Sequence, residues 1–202
     1  VISHQMGENE RAVDLITKAI DIKPDYAEAH CNLGIVLHEL RRMDEAIASY
    51  NKAIDIKPDY AEAYCNCGVT LKELGKLDGA VASYHKAIAI KPNFPEANYN
   101  LGNIFKELRQ LDEAVASYHK ALNIKPGYPD AYCNLGVTLK ELGRLDEAIV
   151  SYHKAIDIKP NYAEAHNNLG VTLEELGWLD KAITSYQEAL VINSDYAEAY
   201  VN

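Results

Sequence analysis

Apolar and small residues recur along the chain with the spacing of one face of an α-helix. In the stretch 129–142 they are Tyr132, Leu135, Gly136, Leu139 and Leu142. This spacing predicts an amphipathic helix, because residues three and four apart share one side of a helix. A second helix follows from Asp146, and its packing face carries Ala148, Tyr152 and Ala155.

The two-helix pattern repeats with a period of 34 residues. Proline marks the period at Pro24, Pro58, Pro92, Pro126 and Pro160. We number the unit so that this proline, which stops the second helix, is position 32. The full units then span 27–60, 61–94, 95–128, 129–162 and 163–196, with 1–26 as the end of an earlier unit and 197–202 as the start of a further one. One helix pair cannot bury both its apolar faces, so the pairs are expected to stack into a solenoid.

Polar residues mark where the first helix of each unit begins and ends. Asp or Asn three residues before Glu predicts a capping box at its start. This pair occurs as Asp25 with Glu28, Asp59 with Glu62, Asn93 with Glu96, Asn161 with Glu164 and Asp195 with Glu198. The slot after the helix holds Gly75, Gly143 and Gly177, but also Arg41 and Arg109. We expect left-handed backbone there, which costs a non-glycine residue on the order of 1 kcal/mol.

Composition and charge narrow the class of partner. Thirty acidic and twenty basic residues give a net charge of −10, which opposes binding to nucleic acid or to an anionic membrane surface. The sequence has no apolar run of about 18 residues and no secretory signal at its start. Four cysteines without a disulfide framework favour a reducing compartment, so a cytoplasmic location is expected.

The unit resembles the tetratricopeptide repeat (TPR). The resemblance rests on positions 8, 20, 24, 27 and 32, which in one unit are Gly136, Ala148, Tyr152, Ala155 and Pro160. It covers the whole chain and implies an all-α, right-handed superhelical solenoid of antiparallel helix pairs. Position 4, usually Trp or Tyr in the family, is polar at His30, Asn98 and His166. We expect looser packing at those three corners.

Positions 2, 6, 9 and 13 of the first helix lie opposite its packing face. The resemblance implies that this side lines a concave groove that binds an extended peptide or a partner helix. Position 6 is always asparagine, at Asn32, Asn66, Asn100, Asn134, Asn168 and Asn202. An asparagine amide both donates and accepts, so such a row can hold a peptide backbone. The row resembles the asparagine ladder of O-linked N-acetylglucosamine transferases. Asn103 at position 9 and Lys72, Lys106 and Lys140 at position 12 are expected to line the same groove.

Purely structural roles compete with binding for the polar residues and the cysteines. Asparagine at position 6 can instead bond to a neighbouring helix or to water. Cys65 and Cys67 are two residues apart on a helix, so they point to nearly opposite faces and cannot share a metal ion. Cys31, Cys65 and Cys133 share position 5 and are predicted to line the groove. His85, His119 and His153 are predicted to form a solvated outer row. No catalytic constellation, cofactor loop or metal site is visible.

Two functional hypotheses follow from the sequence. The repeats are either a non-catalytic scaffold for protein interactions or the substrate-docking arm of a larger glycosyltransferase or sulfotransferase. Val1 and Asn202 both fall inside first helices, which favours a fragment of a longer chain. The ends leave apolar stacking faces uncapped, so head-to-tail self-association through the first and last six residues is also expected.

Overall fold

The computed structural model describes residues 2–193, with side chains from residue 7 onward. The predictions made for Asp195 with Glu198, for Asn202 and for the start of a further repeat lie outside these residues. The same holds for the terminal side chains on which the expected self-association depends.

The described chain is entirely helical apart from short connections and contains eleven helices and no strand. They are α1 (Ile2–Ile22), α2 (Ala27–Glu39), α3 (Met43–Ile56), α4 (Ala61–Glu73), α5 (Leu77–Ile90), α6 (Pro95–Glu107), α7 (Leu111–Ile124), α8 (Pro129–Glu141), α9 (Leu145–Ile158), α10 (Ala163–Glu175) and α11 (Leu179–Ile192). The even-numbered helices from α2 onward are the first helices of the five predicted units. The predicted all-α repeat architecture is confirmed.

The chain forms two compact units that divide within α6. The first is Val1–Ala97 and the second is Asn98–Asn202. In the first, successive helices from α1 to α5 pack on one another. In the second, the same holds from α7 to α11. Each unit therefore stacks helix pairs by contacts between neighbours, as the repeat pattern predicts.

Glycine at position 8 lets the two helices of a pair approach closely. A Cβ atom at Gly136 would lie 2.6 Å from a ring carbon of Tyr152, and the same contact joins Gly34 to Tyr50. The tyrosine rings are almost completely buried, and so are the alanines at positions 20 and 27. The small residues therefore make room for one large aromatic ring in each pair.

The predicted left-handed residues are confirmed at the ends of the first helices. Arg41 and Arg109 have φ angles of 62° and 61°. Gly75, Gly143 and Gly177 have φ angles of 71°, 73° and 76°. The arginines thus adopt a backbone conformation that suits glycine better.

The predicted capping boxes are wrong where the helix starts are described. The N-cap residues of α2, α4 and α10 are Tyr26, Tyr60 and Tyr162, and none makes a side-chain capping bond. The helix starts one residue later than a capping box requires, so Glu28 stands at the second helical position. A hydrogen bond from its own backbone amide lowers the pKa of Glu28.

A lysine–aromatic contact occupies the turn before the first helix in five successive repeats. Lysine at position 31 lies 4.3–4.9 Å above the ring at position 34. The pairs are Lys23 with Tyr26, Lys57 with Tyr60, Lys91 with Phe94, Lys125 with Tyr128 and Lys159 with Tyr162. Such cation–π contacts order the connection that a capping residue was expected to fix.

The expected loose packing at position 4 is wrong for His30 and Asn98, whereas His166 is half-buried. His30 and Asn98 are buried, with 9% and 2% of their surface exposed. Nε2 of His30 lies 2.9 Å from the carbonyl oxygen of Pro24, and Nε2 of His166 lies 3.0 Å from that of Pro160. A polar side chain fits this corner because the preceding turn supplies a hydrogen-bond partner.

Candidate functional site

The position 6 asparagines lie on the side of the first helices that the packing face leaves accessible. Asn32 is exposed, and Asn66, also in the first unit, is half-buried. In the second unit Asn100, Asn134 and Asn168 are half-buried on α6, α8 and α10. Both units therefore present asparagine on this side, with three in the second.

The amide nitrogen of most of these asparagines contacts position 5 of the preceding repeat. Nδ2 of Asn66 lies 3.9 Å from Sγ of Cys31, and Nδ2 of Asn168 lies 3.8 Å from Sγ of Cys133. Nδ2 of Asn134 donates to the hydroxyl of Tyr99 at 2.9 Å. Sulfur accepts hydrogen bonds weakly, so the Tyr99 contact is the strongest. The NH₂ groups of these asparagines therefore bond to a neighbouring helix, as the structural alternative predicted.

The side-chain oxygens of the same asparagines make no such contact with a neighbouring helix. The side-chain oxygens Oδ1 of Asn66, Asn134 and Asn168 have no hydrogen-bond partner within residues 7–193. An amide whose NH₂ group is held by its own protein keeps a fixed orientation. The three carbonyl oxygens are therefore available as acceptors for an N–H group of a partner.

The prediction that the cysteines at position 5 line an open groove is wrong. Cys31, Cys65 and Cys133 are each at most 5% exposed, so their thiols lie in the packed interior. Burial raises the pKa of Cys65 to about 12 and that of Cys133 to about 11. Cys67 lies in the core cluster of the first unit. All four thiols are free, and the described residues contain no group of three potential metal-ligating side chains.

Asn103 belongs to a hydrogen-bond network that the sequence did not indicate. Its Oδ1 accepts from the hydroxyl of Tyr118 at 2.8 Å and from Nδ2 of Asn134 at 2.9 Å. The ring centroid of Tyr99, whose hydroxyl also accepts from Asn134, lies 6.0 Å from that of Tyr118. The only sequence signal was that this repeat has Tyr instead of Cys or Asn at position 5 and Asn instead of Ile or Val at position 9.

The remaining residues at position 9 make the middle of this side apolar. Val69, Val137 and Val171 are half-buried, and Ile35 is 37% exposed. Together with the asparagines they form an apolar strip beside a row of amides. Such a strip suits the side chains of a bound segment, while the amides suit its backbone.

Charged residues at positions 2, 12, 13 and 15 frame the same side. Those at positions 12, 13 and 15 form ion pairs between repeats, whereas glutamate at position 2 pairs with a lysine of its own repeat. Nζ of Lys140 lies 3.0 Å from a carboxylate oxygen of Glu175, and Arg109 pairs with Glu141. Lys72 and Lys106 are half-buried. Nζ of Lys91 lies 2.7 Å from Oε1 of Glu62, and this hydrogen bond lowers the pKa of Glu62. The predicted groove lysines therefore include at least one that an internal ion pair already engages.

The histidines of the predicted outer row, His85, His119 and His153, are exposed. In the second unit His119 and Val150 both line an open cavity of about 460 Å³ that is bordered by α7, α8 and α9. None of the described helices combines the length and the apolar character needed to cross a membrane.

Family profiles match nearly the whole sequence. A profile described as TPR repeat matches residues 2–41, 42–75, 70–109, 102–143 and 138–177. Another, described as tetratricopeptide repeat, matches residues 163–196. Neither describes a catalytic family. The comparison with curated proteins finds no match.

Solved structures share the fold over most of the chain. YrrB, described as a TPR protein with an unusual peptide-binding site, is 25% identical with a TM-score of 0.76, and the match covers 92% of this chain and 96% of YrrB. MamA is 28% identical with a TM-score of 0.76, covering 82% and 97%. PilF of Pseudomonas aeruginosa is 20% identical with a TM-score of 0.84, covering 98% and 90%, and supports the fold alone.

Proposed function

The chain belongs to the tetratricopeptide repeat family, and from that premise we propose that the first helices of its second unit bind an extended peptide. The observation that carries the proposal is the set of position 6 amides on α6, α8 and α10. In Asn134 and Asn168 the NH₂ group is directed to the preceding repeat, and the side-chain oxygen Oδ1 has no partner among the described residues. The description of YrrB as a peptide-binding TPR protein supports the same function.

In this proposal the row is a ladder of hydrogen-bond acceptors. Backbone N–H groups of the peptide donate to the carbonyl oxygens of Asn100, Asn134 and Asn168. The peptide's side chains alternate in direction, so every second one faces the strip that contains Val137 and Val171. Recognition of the backbone is independent of sequence, and the strip adds a preference for apolar side chains.

Magnitudes show that the amides cannot act alone. A hydrogen bond contributes a net of about 0.5–1.5 kcal/mol, so three give at most about 4.5 kcal/mol. Micromolar binding needs about 8 kcal/mol. Burial of apolar side chains against the valines must supply much of the rest, at about 25 cal/mol per Å². We therefore expect partners with at least two apolar residues in alternate positions.

The test uses a peptide selected from a random displayed library on the full chain. Asn168→Ala is the cleanest variant, because its amide nitrogen contacts only a weakly accepting sulfur at 3.8 Å and folding should lose little. Its affinity for the selected peptide should fall about three- to tenfold, as expected for one lost hydrogen bond. Fluorescence anisotropy measures the affinity, and circular dichroism checks helicity.

His153→Ala on the exposed face of α9 is the matched control and should bind as the wild type does. If Asn168→Ala, Asn134→Ala and Asn100→Ala all retain full affinity while remaining folded, the peptide binds elsewhere and the proposal is wrong.

A further inference from the structure

On the proposed peptide-binding side, Asn134 has hydrogen-bond partners that the other described position 6 asparagines lack. We infer that Asn103 and Asn134 together form a recognition site for a single amide group of the partner, either a peptide bond or the side chain of Asn or Gln. This inference rests on the proposed function, and it adds that the peptide binds along the row of asparagines in one fixed register.

Two ends of these amides have already made all the bonds they can. The carbonyl oxygen of Asn103 has two lone pairs, and both accept, from Tyr118 at 2.8 Å and from Asn134 at 2.9 Å. The NH₂ group of Asn134 has two hydrogens, and both are donated, to Asn103 and to Tyr99 at 2.9 Å. These two ends are therefore saturated.

What remains is one donor and one acceptor on adjacent repeats. Nδ2 of Asn103 has two hydrogens and only the Tyr99 hydroxyl beside it as an acceptor, so one N–H is left over, and Oδ1 of Asn134 has no partner in the described part of the chain. Both residues are half-buried, so these atoms border solvent. An amide group offers the complementary pair, since its C=O can accept from Asn103 and its N–H can donate to Asn134. A carboxylate could use only the donor, and an apolar side chain neither.

The tyrosines hold this pair in place. Tyr118 is completely buried, and its hydroxyl fixes which end of the Asn103 amide faces inward. The ring of Tyr99 lies 4.9 Å from that of Tyr128, so it is packed on two sides by aromatic rings. Fixed side chains lose little conformational entropy when a ligand binds, which favours a strong rung.

The site occurs once in the sequence. The other full repeats carry Ile or Val at position 9 and Cys or Asn at position 5, so none of them can form the same network. The peptide is therefore expected to have one position where the amide is essential, and that position sets the register for the other rungs.

The sharpest variant is Asn103→Asp. The carboxylate still accepts from Tyr118 and Asn134, so the network is kept, but the outward N–H donor becomes an acceptor. The affinity for a peptide selected on the wild-type chain should fall about tenfold or more. The matched control is Asn123→Asp, which adds the same charge on the exposed part of α7 and should leave affinity within about twofold. Measurements at about 0.15 M and 1 M salt separate the loss of the donor from charge repulsion, which the higher salt screens.

Replacements in the peptide test the same inference independently, on the wild-type protein. Each peptide bond is replaced in turn by an ester, which lacks the N–H, and each Asn or Gln by Leu. One replacement should weaken binding to the wild type about tenfold, yet have little further effect on Asn103→Asp. A sensitive ester identifies a peptide bond as the ligand, and a sensitive Leu identifies a side-chain amide.

The outcomes that would overturn this inference are distinguishable. If the peptide loses affinity for Asn168→Ala but not for Asn103→Asp at either salt concentration, the amide site is wrong and the proposed function stands. If no replacement in the peptide weakens binding to the wild type, the amide site is likewise wrong, whether or not the variant folds. If no library peptide depends on Asn100, Asn134 or Asn168, the proposed function fails and this inference fails with it.

Discussion

Gly136 and Tyr152 make the closest contact between the two helices of their repeat. The Cβ of Gly136→Ala would lie 2.6 Å from a ring carbon of Tyr152, whose side chain is completely buried and cannot swing away. Overpacking costs about 1–3 kcal/mol, whereas alanine regains at most about 1 kcal/mol of helix propensity. We expect the free energy of unfolding in urea to fall by up to about 2 kcal/mol. Gly127→Ala is the control, since its Cβ meets no atom within 4 Å, and equal stability losses in the two variants would contradict a steric origin.

Arg109 has a φ of 61° in a slot where other repeats have glycine. Arg109→Gly removes a backbone strain on the order of 1 kcal/mol and loses an exposed ion pair with Glu141. Exposed pairs contribute about 0–1 kcal/mol, so the free energy of unfolding is expected to stay constant or to rise by up to about 1 kcal/mol. Gly143→Ala, at a φ of 73°, is the reverse substitution and should destabilise by about 1 kcal/mol. Urea unfolding measures both, and a clear loss for Arg109→Gly would show that the ion pair outweighs the strain.

At the scale of the helix, the start of α10 distinguishes two ways of fixing a helix N-terminus. The N-cap is Tyr162, which packs on the core of the second unit beneath the ammonium group of Lys159. We expect Tyr162→Ala to cost about 2–4 kcal/mol, because it removes a large packed ring. Asn161→Ala should cost less than the roughly 1 kcal/mol of a true N-cap. Chemical denaturation measures both, and a larger loss for Asn161→Ala would restore the capping-box hypothesis.

The helices could be predicted from sequence because their determinants are periodic. Apolar spacing and the glycines at position 8 act through contacts inside one unit and recur in every copy. The helix starts were mispredicted because Tyr162 packs on side chains that are distant in the sequence, such as Cys133, and this packing, not the neighbouring Asn161, determines the N-cap. The Asn103 network was missed for a related reason. It joins Tyr118 and Asn134, which meet only when neighbouring repeats stack.

At the scale of the whole molecule, burial raises the pKa of several thiols and phenols. It raises the pKa of Cys65 and Cys133 to about 12 and about 11 and that of Tyr60 to about 12. Burial raises the pKa of Tyr84 and Tyr118 too. In the unfolded chain these groups ionise near their ordinary values, about 8.5 for Cys and about 10 for Tyr. Both units therefore favour the protonated forms of these groups.

The consequence is a loss of stability in alkaline solution. Above a pH of about 8.5 the unfolded chain holds fewer protons than the folded protein, so the free energy of unfolding falls as the pH rises. Below that pH the contribution is constant. Cys133 alone should account for on the order of 1–2 kcal/mol between about pH 8.5 and 10. Urea unfolding at about pH 7, 8.5 and 10 measures the loss.

The control for this prediction is Cys133→Ala, which lacks the titrating thiol. Its stability should be lower at about pH 7 because a buried side chain is shortened, yet it should decline less steeply between about pH 8.5 and 10. Tyrosinate absorbance provides a second measurement, since the buried phenols should ionise only as the protein unfolds. If all 14 tyrosines ionise near about pH 10 while helicity is unchanged, or if both proteins lose stability equally with pH, burial does not control the titration of these groups.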